Sequence, residues 1–131
     1  MAEATGTFEV TSWNEEAYHE REGEPKLTRA SGDQRFIGDI EGQGFVTWLM
    51  CYSPDGAARF VGLNRVEGRL AGRSGSFIIE SLGDHDGKSS KGSWAVVAGS
   101  GSADLAAISG TGSFDAPGGP KVSYRLEYRL D

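Results

Sequence analysis

One cysteine, four prolines and two histidines are all that the 131 residues hold of those types. Each scarcity removes a class of architecture or chemistry. A lone Cys51 can form neither an intrachain disulfide nor a cysteine-based zinc cage, which suits a reducing compartment. His19 and His85 stand apart in acidic, polar sequence with no second histidine or cysteine at ligand spacing, so no metal site is expected and no cofactor is implied. No run of eighteen apolar residues occurs, and the start, Met1-Ala2-Glu3-Ala4-Thr5-Gly6, lacks a basic region followed by an apolar stretch. The expectation is a cytoplasmic protein with no membrane partner. Basic clusters are missing as well, and a formal net charge of -6 repels a phosphate backbone, so no nucleic-acid partner is expected.

What the chain has in quantity is glycine, 20 residues, and period-two alternation. At the C-terminus Val122, Tyr124, Leu126, Tyr128 and Leu130 alternate with Ser123, Arg125, Glu127, Arg129 and Asp131, which is the pattern of a half-buried strand. Phe8 and Val10 alternate with Thr7, Glu9 and Thr11 in the same way. Between these ends, extended runs are predicted over Lys26–Ser31 with Phe36–Ile40, and over Phe45–Tyr52, Arg59–Arg69, Ser74–Ser81, Gly92–Ala98 and Ser109–Phe114. Ser53-Pro54-Asp55-Gly56 reads as a type I turn, and Leu70-Ala71-Gly72-Arg73 and Gly83-Asp84-His85-Asp86-Gly87 join further neighbours. Without a convincing helix there are no crossover units. The expected fold is all-β, an antiparallel closed barrel of about eight strands, because closure removes sticky edges. It forms a single domain over 1–131. The segment 14–25, rich in like charges, is expected as an acidic loop, either solvated or lying over a barrel mouth.

Val96 to Gly110 opens like a phosphate loop followed by a helix. Asp104 occupies the third glycine position of a dinucleotide fingerprint, however, and no Lys-Ser or Lys-Thr follows Gly101. The stretch is predicted to be a corner in a sheet. Gly99-Ser100-Gly101-Ser102-Ala103-Asp104-Leu105 with Ile108-Ser109-Gly110 resembles the hairpin corner of allene oxide cyclase and dirigent barrels. A closer resemblance, across essentially the whole chain, is to a bacterial family of proteins of unknown function with an allene oxide cyclase-like barrel. It is carried by Ala4 to Val10 with Ser12-Trp13, Gly38-Asp39-Ile40-Glu41-Gly42, Tyr52 to Gly56, Phe60-Val61-Gly62-Leu63, Gly72 to Phe77 and Gly92-Ser93-Trp94. Two positions depart from it: Ala103 stands where such corners commonly carry glycine, and Asn64 stands where an acid is expected.

Barrels of eight strands are either filled by side chains or hold one small ligand. Phe45 to Tyr52 is apolar on both faces, with Val46, Trp48, Met50 and Tyr52 on one and Phe45, Leu49 and Cys51 on the other. If the first set fills the barrel, a second subunit covers the other, so a homo-oligomer with an inert buried Cys51 is expected. The same parity turns Phe60, Gly62, Asn64 and Val66 inward. Phe36, Trp48, Met50, Phe60, Trp94 and Tyr124 then become candidate ligand-binding residues, with plain core packing as the alternative. Asn64 is either a satisfied buried amide or a hydrogen bond to a ligand. Glu41 at a strand end and Tyr52 complete the candidate catalytic set, Glu41 as a rim acid or simply a turn acid. No Gly-x-Ser-x-Gly elbow precedes a helix, which leaves nucleophilic hydrolysis without support. Two functions fit: a cofactor-independent cyclase or isomerase that shapes a small apolar molecule in an aromatic cavity, or a non-catalytic ligand-binding or structural, oligomerising barrel.

Overall fold

The computed structural model describes residues 1–130, so Asp131, read above as the polar end of the last strand, lies outside the described residues. Alternation becomes nine strands: β1 (Ala2–Val10), β2 (Asn14–His19), β3 (Lys26–Gly38), β4 (Ile40–Tyr52), β5 (Ala58–Leu70), β6 (Arg73–His85), β7 (Ser90–Val96), β8 (Ser109–Ala116) and β9 (Lys121–Arg129). Each pairs antiparallel with its successor from β2 to β9, and β1 closes the ring by pairing with both β9 and β3. The result is a closed eight-stranded barrel with one extra strand, β2. No helix among the described residues is long and apolar enough to cross a membrane.

β1 and β2 act as one interrupted stave. Residues 6–10 of β1 pair with 38–34 of β3, and residues 14–17 of β2 resume on the same strand against 31–28. The break at Thr11–Trp13 inserts extra backbone and bends the chain, as a bulge does. The acidic segment expected as a loop over 14–25 is therefore a strand through His19, and only 20–25 turns. Charge repulsion would keep it from folding alone, but the open edge of β3 supplies its missing hydrogen-bond partners, and most of its side chains face water. β3 likewise runs unbroken through Gly32–Arg35, where two shorter runs were expected.

Inside, the lower barrel is packed solid. Phe77, Ile79, Leu126, Val66 and Leu70 are buried, and the Val97–Ile108 corner folds under them with Leu105 and Ile108 inserted as a plug. The corner contains only a three-residue 3-10 turn, Ala103–Leu105, in place of any helix. It is tied to β6 by Ser102 N–H to Ser76 O at 2.9 Å and by Ile78 N–H to Ser100 Oγ at 3.0 Å. Ala103 sits at φ 51°, the left-handed conformation for which glycine is the usual residue.

On the outer wall Cys51 is exposed, together with Phe45 and Leu49, because nothing among the described residues covers the face that was expected to meet a second subunit.

Candidate functional site

At mid-height the barrel carries a line of polar groups. Asn64 Nδ2 donates to Gln34 Oε1 at 3.2 Å, and Ser81 Oγ donates to Asn64 Oδ1 at 2.7 Å, all three residues being at most 2% exposed. Asn64 thus follows the buried-amide alternative, its oxygen and one N–H engaged by neighbouring side chains. Gln34 Nε2 has no hydrogen-bond partner among the described residues.

Above this line the lumen opens into a cavity of about 280 Å³. Its walls are Phe8, Met50, Phe60 and Phe114, with Val10 and Val122 beside them. Trp48 spans the lumen because its neighbour across the ladder is Gly62, where a Cβ would collide with the indole. Trp13, half exposed at the β1–β2 break, lies over Trp48 with ring centroids 5.4 Å apart and forms the roof. The break in the stave is what brings that ring over the opening.

The rim is polar on two sides. On one, the Glu15 carboxylate accepts from Thr28 Oγ1 and Tyr52 Oη, each at 2.6 Å, and from Trp13 Nε1 at 3.2 Å. Partial burial pushes the Glu15 carboxyl up, but the donors from Thr28, Tyr52 and Trp13, with Lys26 nearby, outweigh it and hold the group below its ordinary range. Burial and the adjacent Glu15 carboxylate push the Tyr52 phenol up to about 12, so Tyr52 stays protonated as the donor. Lys26 Nζ rests 5.1 Å from the Tyr52 ring centroid, within cation–π range.

On the other side His85, the last residue of β6, faces Ser90, the first of β7, and its Nδ1 lies 2.7 Å from Ser90 Oγ. Asp86 builds the turn between them by accepting from Lys88 N–H at 2.9 Å and Ser89 N–H at 2.8 Å. Those backbone donors, Ser89 first, lower the Asp86 carboxyl. The stretch read as a turn over Gly83–Gly87 is strand as far as His85, and the turn begins only at Asp86.

Of the residues chosen from sequence, Trp48, Met50, Phe60 and Tyr52 line one cavity. Phe36, Trp94 and Tyr124 lie outside its lining, in the packed core, where Trp94 stacks on Tyr124 at 5.6 Å between centroids. Tyr124 Oη accepts from Ile40 N–H at 2.9 Å and donates to Ile37 O at 3.1 Å, pinning the β3–β4 turn; burial raises its phenol. Glu41 is exposed at the far end of β4. Eleven residues of extended strand separate it from Tyr52, roughly 35 Å at about 3.3 Å per residue, too far to share a pocket. Glu15, Trp13, Thr28, His85 and Ser90 were missed. The only signal for Glu15 and Trp13 was their nearness to a strand break, and the Glu15 partners lie 13 and 37 residues away.

Comparison with known proteins places the chain in a family. The model of the family described as "Protein of unknown function (DUF3224)" matches residues 4–128. A crystal structure of a protein with unknown function from that family, from Shewanella oneidensis MR-1, is 28% identical, with a TM-score of 0.84, covering 100% of this chain and 98% of that one. No curated protein matches the chain. Neither the family model nor that structure shows the resemblance to allene oxide cyclase expected from the corner residues.

Proposed function

This chain belongs to the DUF3224 family, and we propose that it is a small-molecule barrel that takes one flat, apolar ligand into the cavity at its upper mouth. The observation that carries this reading is the contrast within one lumen: packed solid below Asn64, open and aromatic-walled above it. A volume of about 280 Å³ lies at the small end of ligand pockets, which run from about 300 to 1,000 Å³, so the ligand is correspondingly small. In its catalytic form the reading is a cofactor-independent cyclisation or isomerisation, with a dry, shaped cavity holding the substrate near its reactive geometry. In its binding form the ligand leaves unchanged.

The test is to incubate the purified protein with a metabolite extract, re-isolate it and identify what is retained by mass spectrometry. The wild-type protein retains a small apolar molecule, and Ala116→Phe, which fills the cavity from its rim, does not. Retention of the same molecule by both proteins, or of none by either, refutes the reading. A retained compound absent from the starting extract marks the catalytic form.

A homo-oligomer is the second part of the proposal, favoured by the outer face of β4–β6. Leu49, Val61 and Leu82 are successive cross-strand neighbours on it, with Leu63 and Phe45 alongside, and all five are between 39% and 56% exposed. Arg59 with Asp84 and Arg65 with Glu67 flank the patch, so both signs of charge are available to a two-fold partner. The exposed Cys51 thiol at its margin fits the cytoplasm, where thiols stay reduced. A single domain over 1–131 belongs to the same reading.

A further inference from the structure

Most polar side-chain atoms around the cavity are already committed. Tyr52 Oη and Trp13 Nε1 donate to Glu15, and the Trp48 indole N–H is sealed from solvent without a partner. His85 differs. Ser90 engages its Nδ1, and its other nitrogen, Nε2, makes no hydrogen bond among the described residues. His85 is nonetheless among the residues that line the cavity, together with Ser90, Tyr52 and otherwise apolar or aromatic side chains.

We propose that His85 Nε2 is the group that reads the polar end of the ligand, so the cavity takes a flat apolar molecule bearing one hydroxyl or carbonyl oxygen, such as a phenol, an aromatic alcohol or an unsaturated ketone. This inference rests on the cavity being the ligand site and adds the chemistry of recognition to it. The Ser90 hydroxyl rotates freely, so it serves either imidazole tautomer. When it donates to Nδ1, Nε2 carries the proton and donates to a carbonyl. When it accepts from Nδ1–H, Nε2 accepts from a hydroxyl. The ring is held for this task by the strand register that sets His85 opposite Ser90 and by the Asp86-capped turn that joins them. A polar group in a mostly apolar pocket discriminates, because a ligand that cannot pair with it leaves it unsatisfied.

Two probes of one ring system test it: naphthalene and 2-naphthol, measured by equilibrium dialysis. The wild-type protein binds 2-naphthol about tenfold more tightly than naphthalene, the worth of one buried hydrogen bond. His85→Phe abolishes that preference, read as the ratio of the two affinities measured in the same variant, and Ser90→Ala, which removes the partner of Nδ1, reduces the ratio. Equal binding of the two probes by the wild-type protein overturns the assignment, as does a full preference that survives in both His85→Phe and Ser90→Ala. Failure of both probes to bind overturns the cavity reading itself, and this inference with it.

Discussion

Replacing Asn64 by leucine keeps its approximate size and removes both of its hydrogen bonds. Gln34 Oε1 then loses its donor and the Ser81 hydroxyl loses its acceptor, at positions no more than 2% exposed. Each buried polar group left unpaired costs about 1–3 kcal/mol, so Asn64→Leu, which leaves two, is expected to lose about 2–6 kcal/mol. For a domain of this size that lowers Tm by roughly 7–22 °C. Removing the whole polar line with Gln34→Met, Asn64→Leu and Ser81→Ala recovers most of the loss, since apolar groups of similar shape leave nothing unsatisfied. Urea unfolding and calorimetry read both proteins. A single substitution costing less than about 1 kcal/mol, or a triple variant no better than the single, refutes the reasoning that the line acts as one hydrogen-bonded unit.

Four further outcomes are expected. The Glu15 carboxyl lies below its ordinary value, so the stability it lends is present above about pH 4.3 and is lost as pH falls through the lowered folded value; the stability gap between wild type and Glu15→Gln closes only in acid, and a gap constant down to pH 2 contradicts this. Trp13→Ala removes the ring tilted over Trp48 at the cavity's roof, and losing one aromatic contact to the ligand, about 0.5–1.5 kcal/mol, weakens naphthalene binding roughly 2- to 12-fold in a dialysis assay while the barrel stays folded by circular dichroism. Ala103→Gly relieves a left-handed alanine and raises stability by about 1 kcal/mol in urea; unchanged or lower stability refutes the strain argument. Leu63→Glu places a charge in the exposed outer patch and converts an oligomer to a monomer by light scattering, without changing the far-ultraviolet spectrum.

Strand positions were legible because a barrel wall imposes inside–outside alternation on every stave, and β5 and β9 show it cleanly. With Trp48 taken as inward, that period carried Asn64 inward with it. β2 was not legible. Asn14 to His19 carries its apolar content in Ala17 and Tyr18, and it is a strand only because the edge of β3 is free beside it. The Cys51 face is uncovered among the described residues, and its burial belongs to the proposed oligomer, not to the single chain. The site divided along the same line. Residues chosen by parity, Trp48, Met50 and Phe60, reached the cavity, whereas Glu41, chosen for its carboxylate near a strand end, did not. Consecutive antiparallel strands put the start and finish of β4 at opposite mouths, and period-two alternation does not say which mouth is open. Glu15 and His85 depend on a bulge and on a capped turn, features of register that leave little trace in residue type.

Three tryptophans make the central claim directly measurable, because Trp13 and Trp48 line the cavity and Trp94 lies buried beneath it. In a nitrogen-15-labelled sample titrated with naphthalene, the indole signals of Trp13 and Trp48 are predicted to move along one saturable curve of 1:1 stoichiometry while that of Trp94 moves least. Unmoved Trp13 and Trp48 signals at saturating naphthalene contradict the account.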